Sequence, residues 1–597
     1  MQEPPFWPNL NKGETELRIL LLGTCNAGAM LGAASLANVT ADHVLFESYA
    51  HSQIPDASPE NYDAVVIALT LRHILADATG KPLCAADMSF ARLTDEAAAS
   101  DLIAACASAM RNRLSALHEK FAARPTFFLT FLHPSFNYLG NMAGRYDKTS
   151  PVNIVSSLNG ELHKAACELT NFHTIEVNDL LNWIGRAHLQ DDIVHTGSHA
   201  ALIADTSDLD EERLVPPEDL LARHDVENHS RAFGSAIWRV LRENLQILAQ
   251  ADPVKLIIVD LDDTLWRGVA ADDAIPHWRR VEGWPLGLLE ALLFYRRRGG
   301  MLAICSKNDE APTLERLARF FEGAVSPTDF VSIKINWSSK SENIAAILKE
   351  VNILPRHALF IDDNPRELDE AASAIADLRC CRAGHYDWRS LILRSPEFQV
   401  AAITRESTNR TESTRALVER ERQAQTMTRA DWLRSLGVKV AVEYATSPDG
   451  ASPRRAFELI NKTNQFNTTG RRWTPDEFAS FFAAGGVCVL ASLRDRVVDN
   501  GIVGAALVRS GVIEQAVLSC RVFGLGAEVV MGSVATRLAL AQAGRAVGSI
   551  IDTGRNFTCH NYFASLGFTA ADGRFEAEGG CEYPDWIEVE DAAVQPQ

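Results

Sequence analysis

The stretch that decides the fold of the central part of this chain is Val254-Lys-Leu-Ile-Ile-Val-Asp260-Leu-Asp262-Asp263-Thr264-Leu265-Trp266. A hydrophobic run of strand length ends in a carboxylate, and a second carboxylate follows two residues later. In parallel α/β sheets, ligands bind at the carboxyl ends of the strands. The stretch therefore predicts a buried parallel strand with a reactive site at its end.

The two carboxylates have the spacing that phosphoryl transfer requires. Asp260 is the candidate nucleophile, because a carboxylate can attack phosphorus and form an aspartyl-phosphate. Asp262 is the candidate acid and base, which protonates the leaving group and later deprotonates the hydrolytic water. An alternative interpretation of an isolated DLDDT is a helix cap or a solvated turn.

Three further groups follow in chain order, each after a predicted strand. Ser306 follows the strand Met301–Cys305 and is the candidate for holding a phosphate oxygen. Lys340 is the candidate for neutralising the phosphoryl group and the nucleophile. Asp362 and Asp363 follow the strand Ala358–Ile361.

Oxygen ligands of this kind suit Mg²⁺, which is usually held by one or two carboxylates, water and substrate phosphate. The predicted metal residues are Asp260, Asp262 through its backbone carbonyl, Asp362 and Asp363. Mg²⁺ is the predicted cofactor.

The four groups together resemble the haloacid dehalogenase (HAD) superfamily. Four segments are similar to the FkbH-type branch (HAD-IIIC), namely DLDDTLWRGV, LAICSKNDE, INWSSKSENI and LFIDDNPREL. Two further segments, NKTNQFNTTGRR and DNGIVG, extend the resemblance over roughly residues 254 to 570. One departure is Arg366-Glu367, where an acidic residue followed by Arg is expected. The short interval between Trp266 and Met301 predicts a Rossmann-like HAD domain with a minimal cap.

The resemblance implies an activity and a partner. FkbH-type proteins convert 1,3-bisphosphoglycerate into a D-glyceryl thioester on an acyl carrier protein, for polyketide or related secondary-metabolite biosynthesis. The expected small substrate is phosphorylated, and the phosphopantetheine arm of the carrier, or a coenzyme A thioester, is the expected thiol partner. The alternative is a HAD phosphatase fused to an N- or O-acyltransferase of surface-polysaccharide (nucleotide-sugar) biosynthesis. A non-catalytic scaffold is disfavoured by the intact set of charged residues.

Cys305 lies directly before Ser306, and its role stays open at this point. One interpretation is a thiol that accepts the glyceryl group before the carrier does. The other is a small buried core residue, since free Cys is often buried.

The C-terminal part contains Arg521-Val-Phe-Gly524-Leu-Gly526, placed between a predicted strand and a predicted helix. Glycines there let backbone N–H groups approach a phosphate closely. The pattern resembles the acyl-CoA loop of GCN5-related acetyltransferases (GNAT), which implies a site for the carrier's arm at Arg521, Gly524 and Gly526. Asn464, with Gln465 and Asn467, is either a polyol-reading group or a turn-and-cap cluster.

The N-terminal part resembles SGNH hydrolases only at isolated positions. Cys25 stands where that family carries its serine nucleophile, and Asp192 and His195 have the spacing of its carboxylate and base. A Cys–His pair can perform acyl transfer. The alternative is a retired hydrolase fold kept for docking or oligomerisation, and the sequence leaves this choice and the oligomeric state open.

Composition sets the broad class. The 597 residues are 47% hydrophobic and 23% charged with a net charge of −19, which argues against bulk affinity for nucleic acid or an anionic membrane. We predict an α/β protein of three domains, the first SGNH- or flavodoxin-like. The predicted divisions are a tail (1–16), the SGNH-like domain (17–250), the HAD-like domain (251–395), a helical linker (396–436), the GNAT-like domain (437–590) and a tail (591–597).

Cysteine spacing and apolar run length bear on the cellular compartment, and arginine clusters bear on where an acyl carrier protein docks. The eleven cysteines form no CxxC pair, no membrane-length apolar run is present and no leader peptide is visible, which together predict a cytoplasmic protein. An acidic carrier needs a local positive patch on an acidic enzyme. Of three arginine clusters, Arg471-Arg472 is the predicted docking pair.

Overall fold

The computed structural model describes residues 15–23, 27–45, 57–190, 226–269, 275–403, 410–412, 414–415, 428–496, 498–519, 522–571 and 574–591. The chain divides into two compact units, residues 1–249 and 250–597. Each unit is described by itself.

The first unit is built on a five-stranded, wholly parallel sheet with strand order β2-β1-β3-β4-β5. Its strands are β1 (Leu17–Gly23), β2 (Val39–Leu45), β3 (Ala64–Ile67), β4 (Thr126–Leu129) and β5 (Phe172–Ile175). Its helices are α1 (Gly28–Ala33), α2 (Leu71–Thr79), α3 (Leu83–Asp87), α4 (Glu96–Phe121), α5 (Pro151–Cys167), α6 (Val177–Ile184) and α7 (Val226–Ala249).

Hydrophobic cores cover both faces of this sheet. Leu20 and Leu22 of β1 pack in a cluster with side chains of α2, α4 and α5, whereas Ile19 and Leu21 belong to a second cluster with side chains of α1, α6 and α7. Strands buried on both faces are continuous apolar runs, which is why β1 reads RILLL without alternation.

The second unit begins with another five-stranded parallel sheet, of strand order β10-β9-β6-β7-β8. Its strands are β6 (Leu256–Val259), β7 (Met301–Ser306), β8 (Ser332–Ile335), β9 (Ala358–Ile361) and β10 (Arg379–Cys380). Its helices are α8 (His277–Val281), α9 (Trp284–Arg297), α10 (Glu310–Phe320), α11 (Lys340–Glu350), α12 (Pro365–Ala374) and α13 (His385–Arg394). The described residues between Trp266 and Met301 form only α8 and α9.

The rest of the second unit is a mixed eight-stranded sheet of order β16-β17-β15-β14-β13-β12-β11-β18. Its strands are β11 (Val438–Ala445), β12 (Val487–Arg494), β13 (Asp499–Arg509), β14 (Val512–Leu518), β15 (Ala546–Gly548), β16 (Thr569–Ala571), β17 (Arg574–Ala577) and β18 (Ile587–Asp591). The helices are α14 (Arg429–Leu436), α15 (Ala451–Lys462), α16 (Pro475–Ala483), α17 (Ala527–Ala543) and α18 (Tyr562–Ser565).

The predicted α/β class is confirmed by the three sheets and their helices. The strand Ala358–Ile361 has the bounds that the sequence predicts, and the strand predicted at Met301–Cys305 extends one residue further, to Ser306. Of the predicted helical linker, residues 404–409, 413 and 416–427 lie outside the described residues. No helix in the described part of the chain has the length and apolarity needed to cross a bilayer.

Candidate active site

Strand order brings the predicted site residues of the central sheet together. The adjacent strands β9, β6, β7 and β8 are parallel, so their carboxyl ends lie at one edge. Asp260 follows β6, Ser306 ends β7, and Asp362 follows β9. Lys340 is the first residue of α11, and the helix begins there because Ser339 caps it by accepting from the Glu342 backbone N–H.

Lys340 joins two of the carboxylates. Its Nζ lies 3.1 Å from Asp260 Oδ2 and 2.5 Å from Asp362 Oδ2. All three side chains are buried, and a buried cation of this kind is stable only when it is paired. Asp260 Oδ1 is buried and has no hydrogen-bond partner, so this oxygen is left for a ligand or for attack on one.

The charges in the cluster shift one another. Burial raises the pKa of Asp260 and the charge of Asp362 adds to the rise, while Lys340 and the Ser306 hydroxyl oppose it. Burial acts to lower the pKa of Lys340, but Asp260 and Asp362 outweigh it, and the net pKa is raised. Lys340 is therefore a permanent cation beside the nucleophile.

The carboxylates of this cluster, together with Asp363, also fit a metal site. Ligand oxygens of Asp260, Asp362 and Asp363 all lie within 4.8 Å of one another, and Asp260 Oδ1 is unpartnered. Asp363 is oriented by Thr264, whose Oγ1 lies 3.2 Å from Asp363 Oδ1 and accepts from the Asp363 backbone N–H. An all-oxygen set of this size suits Mg²⁺. Thr264 belongs to the stretch quoted at the outset, but its role could not be predicted from the sequence.

Asp262 is held by two residues, Trp266 and Asn308, whose roles were not predicted from the sequence. Trp266 Nε1 donates to Asp262 Oδ1 over 2.8 Å, and Asn308 Nδ2 donates to Asp262 Oδ2 over 3.0 Å. Asn308 Nδ2 also lies 3.3 Å from Ser306 Oγ. Both residues stand inside the quoted motifs, as the last residue of DLDDTLW and as the Asn of CSKND.

The departure at Arg366-Glu367 has a local explanation. Glu367 pairs with Lys307, whose Nζ lies 2.6 Å from Glu367 Oε1. The pair joins the loop after β7 to the first turn of α12. Glu367 thus has a basic partner from a neighbouring loop, and Arg366 is exposed.

Of the two interpretations of Cys305, its surroundings favour core packing. Its side chain is completely buried among apolar residues that include Ala303, Ile344 and Phe360. Burial raises the pKa of the Cys305 thiol to about 12, and nearby carboxylates add to the rise. A thioester acceptor must be accessible and reactive as a thiolate, and Cys305 has neither property.

We expect Cys305 to resist alkylation in the native protein. Iodoacetamide at pH 8 should label Cys84 and Cys167, which are exposed, and leave Cys305 unlabelled until the protein is unfolded. Peptide mass spectrometry measures each site in the same sample, so the exposed thiols serve as the internal control. Native labelling of Cys305 at the rate of Cys84 would restore the acceptor interpretation.

The predicted phosphate loop of the C-terminal sheet precedes α17, and Gly524 and Gly526 both have positive φ angles, of 75° and 98°. A carboxylate of the chain already lies at this helix terminus. Glu528 accepts hydrogen bonds from the backbone N–H groups of Gly526 and of Glu528 itself, and burial raises the pKa of its carboxyl group. Phosphate binding at this helix terminus stays a prediction. It requires that the Glu528 carboxylate either moves away or remains beside the phosphate despite the repulsion between the two negative charges. Arg521 lies outside the described residues.

The NKTNQFN segment has the geometry of a turn-and-cap cluster. Asn467 is completely buried, donates to the Thr463 carbonyl and accepts from the Gly470 backbone N–H and the Gln515 amide. Asn464 is exposed and accepts from Arg472. Nothing in these contacts favours polyol recognition.

Arg471 and Arg472, the predicted docking pair, are both engaged within the domain. Arg472 NH1 donates to the backbone carbonyls of Ile460 and Thr463 at the end of α15, over 2.7 and 2.9 Å. Arg471 pairs with Glu477 and stacks on the ring of Trp473. Charge reversal here would therefore disturb folding first, and the pair is a poor choice for a docking test.

The N-terminal candidates Cys25, Asp192 and His195 lie outside the described residues. The hydrolase-like role therefore remains a prediction from the sequence.

Comparisons with known proteins add the following. No protein-family model and no curated protein matches the chain. One similar solved structure is the N-terminal part of the protein BF1531 from Bacteroides fragilis, containing a phosphatase domain complexed with Mg. The match is 19% identical, covers 64% of this chain and 92% of that one, and has a TM-score of 0.38. The Pnkp1/Rnl/Hen1 RNA repair complex matches at 12% identity over 62% of this chain and 97% of that one, with a TM-score of 0.17. At these TM-scores neither likeness carries a functional argument, so the functional argument rests on the geometry.

Proposed function

We propose that the central domain is a Mg²⁺-dependent phosphatase of HAD type that uses Asp260 as its nucleophile. The observation that carries this proposal is the bridging of Asp260 and Asp362 by Lys340 at the carboxyl ends of parallel strands. The same carboxylates form a set of oxygen ligands with Asp363. A purely structural ion pair would not require the unpartnered Asp260 Oδ1.

The first chemical step is in-line attack by an Asp260 oxygen on phosphorus. A bond forms between that oxygen and phosphorus, the bond from phosphorus to the leaving oxygen breaks, and Asp262 gives that oxygen a proton. Lys340 offsets the charge of the nucleophile and of the phosphoryl oxygens, and the Ser306 hydroxyl donates to one of them.

The second step releases phosphate. Asp262, now a carboxylate, takes a proton from water, and the water oxygen attacks phosphorus. The bond between phosphorus and Asp260 breaks, which returns the carboxylate to its starting state.

The metal would be held by the side chains of Asp260, Asp362 and Asp363 and by the backbone carbonyl of Asp262. When bound, Mg²⁺ supplies a Lewis acid for the phosphoryl oxygens. Lys340 holds Asp260 and Asp362 together, so the chain fixes these two carboxylates.

For the whole chain we propose the formation of a D-glyceryl thioester on an acyl carrier protein from 1,3-bisphosphoglycerate. The support is the resemblance of the motifs to FkbH-type proteins. The carrier's sulfur bonds to the acyl carbon, the bond from that carbon to the phosphate oxygen breaks, and the first phosphate leaves with the thiol's proton. The remaining phosphate monoester is then hydrolysed at Asp260. One bisphosphoglycerate, one carrier thiol and one water thus give the glyceryl thioester and two phosphates.

Mass spectrometry of a carrier protein incubated with enzyme, Mg²⁺ and 1,3-bisphosphoglycerate tests this proposal. The wild-type enzyme should add one glyceryl group, whereas Asp260→Asn should stop at the phosphoglyceryl carrier. Release of phosphate without any change in carrier mass would contradict carrier loading and leave a phosphatase fused to another acyltransferase.

A further inference from the structure

The Asp262 carboxylate is fixed from two sides by different elements. Trp266 Nε1 donates to Oδ1 and Asn308 Nδ2 to Oδ2, so each oxygen receives a hydrogen bond. Trp266 lies on the turn after β6, and Asn308 lies on the loop after β7. We call Trp266 and Asn308 the carboxylate clamp.

One side of the clamp is anchored in the core. Trp266 is completely buried, and its ring meets Phe320 edge to face with 5.3 Å between ring centroids. Such a side chain cannot change rotamer without repacking its neighbours, so the indole N–H has one available direction. The position of Asp262 Oδ1 is fixed by that direction.

The other side connects Asp262 to the phosphate-holding hydroxyl. Asn308 Nδ2 lies within hydrogen-bond distance of both Asp262 Oδ2 and Ser306 Oγ, at 3.0 and 3.3 Å. Asn308 therefore sets the separation between the group that serves the leaving oxygen and the group that serves the phosphoryl oxygen.

We propose that Trp266 and Asn308 are positioning residues that hold Asp262 in the orientation from which it protonates the leaving oxygen. This inference rests on the proposed phosphatase function. Preorganising a proton donor removes the need to order it in each catalytic cycle, and a small misplacement of a reacting group is costly. In this role the clamp acts on the reaction through its hydrogen bonds to the Asp262 carboxylate.

The dependence on the leaving group separates positioning from a general structural role. An alkyl phosphate needs its leaving oxygen protonated as the bond to phosphorus breaks. The leaving group of p-nitrophenyl phosphate, p-nitrophenolate, departs readily without a proton. A misplaced Asp262 should thus slow the alkyl substrate far more than the aryl one. A general loss of folded protein slows both by the same factor.

The test compares Trp266→Phe and Asn308→Ala with wild type on 3-phosphoglycerate and p-nitrophenyl phosphate. For each clamp variant we expect kcat/KM for 3-phosphoglycerate, which reports only the steps up to departure of the leaving oxygen, to fall about 10- to 100-fold, with a much smaller fall in kcat/KM for the aryl substrate. Trp388→Phe is the matched control. Trp388 is also buried in this core and donates its indole N–H to the Ala383 carbonyl over 2.9 Å, and its ring packs against Trp284 and His385, neither of which is a proposed site residue.

The Asp262→Asn variant, measured alongside, separates the two proposals. If Asp262→Asn loses turnover but both clamp variants match Trp388→Phe, or lower kcat/KM by the same factor for both substrates, the positioning role is wrong and the phosphatase proposal stands. If Asp262→Asn itself keeps wild-type turnover of 3-phosphoglycerate, the proposed function has failed. Because Asn308 is only partly buried, Asn308→Ala keeps the test decisive should Trp266→Phe fold poorly.

Discussion

Replacing Asp260 with Asn should abolish phosphate release, with a loss of about 10⁴-fold or more in kcat. An amide does not attack phosphorus as a carboxylate does, so the covalent route is lost. The substitution keeps the size of the side chain, and Lys340 keeps its second partner, Asp362, at 2.5 Å. Phosphate release from 3-phosphoglycerate under saturating Mg²⁺ gives the rate.

Circular dichroism and thermal unfolding show whether this variant is folded. Glu290→Gln is a matched control, because it also replaces one carboxylate of an ion pair in this domain, that with Arg389 on the exposed surface. It should retain wild-type turnover. An Asp260→Asn protein that releases phosphate at the wild-type rate would exclude Asp260 as the nucleophile.

Removing divalent metal should reduce turnover by at least about 10³-fold, since a bound metal contributes several kcal/mol to charge stabilisation in the transition state. EDTA followed by dialysis should leave an inactive protein, and added Mg²⁺ should restore the rate. The fold should survive, because Lys340 pairs with Asp260 and Asp362 without any metal.

The Asp363→Asn variant provides the control for the metal effect. It removes one predicted ligand that makes no ion pair with Lys340, so it should need more Mg²⁺ for half-maximal rate. Full activity of the wild-type protein in EDTA would show that the carboxylate set has another purpose.

Much of the central fold follows directly from the sequence. Apolar runs such as Leu256–Val259 and Ala358–Ile361 are continuous because their strands are buried on both faces, and a reactive residue follows each. Motif order and the geometry of parallel sheets then predict one shared edge for Asp260, Ser306 and Asp362. The contact of Lys340 with Asp260 and Asp362 follows from its position as the first residue of α11, where Ser339 caps the helix.

Other features depend on directions that a linear pattern does not contain. Cys305 and Ser306 are neighbours, but Cys305 shares its face of β7 with Ala303 and packs in the core. The sequence predicts only a core aromatic residue at Trp266, whereas the structure shows that its indole N–H donates to Asp262. The sequence suggests that Arg472 is a surface cation, whereas its guanidinium donates hydrogen bonds to backbone carbonyl groups at the end of α15. Each of these outcomes depends on tertiary packing.

A single turnover in ¹⁸O-labelled water, with enzyme in excess over substrate, tests the central claim most directly. If Asp260 forms an aspartyl-phosphate that water opens at phosphorus, the label enters the released phosphate and the peptide containing Asp260 stays unlabelled. Trapping then completes the measurement, since borohydride reduction of acid-quenched enzyme should convert Asp260 alone to homoserine. The account predicts that product at Asp260 in the wild-type protein and none in Asp260→Asn. Turnover with no reducible acyl-phosphate at Asp260, or with one at another residue, would contradict it.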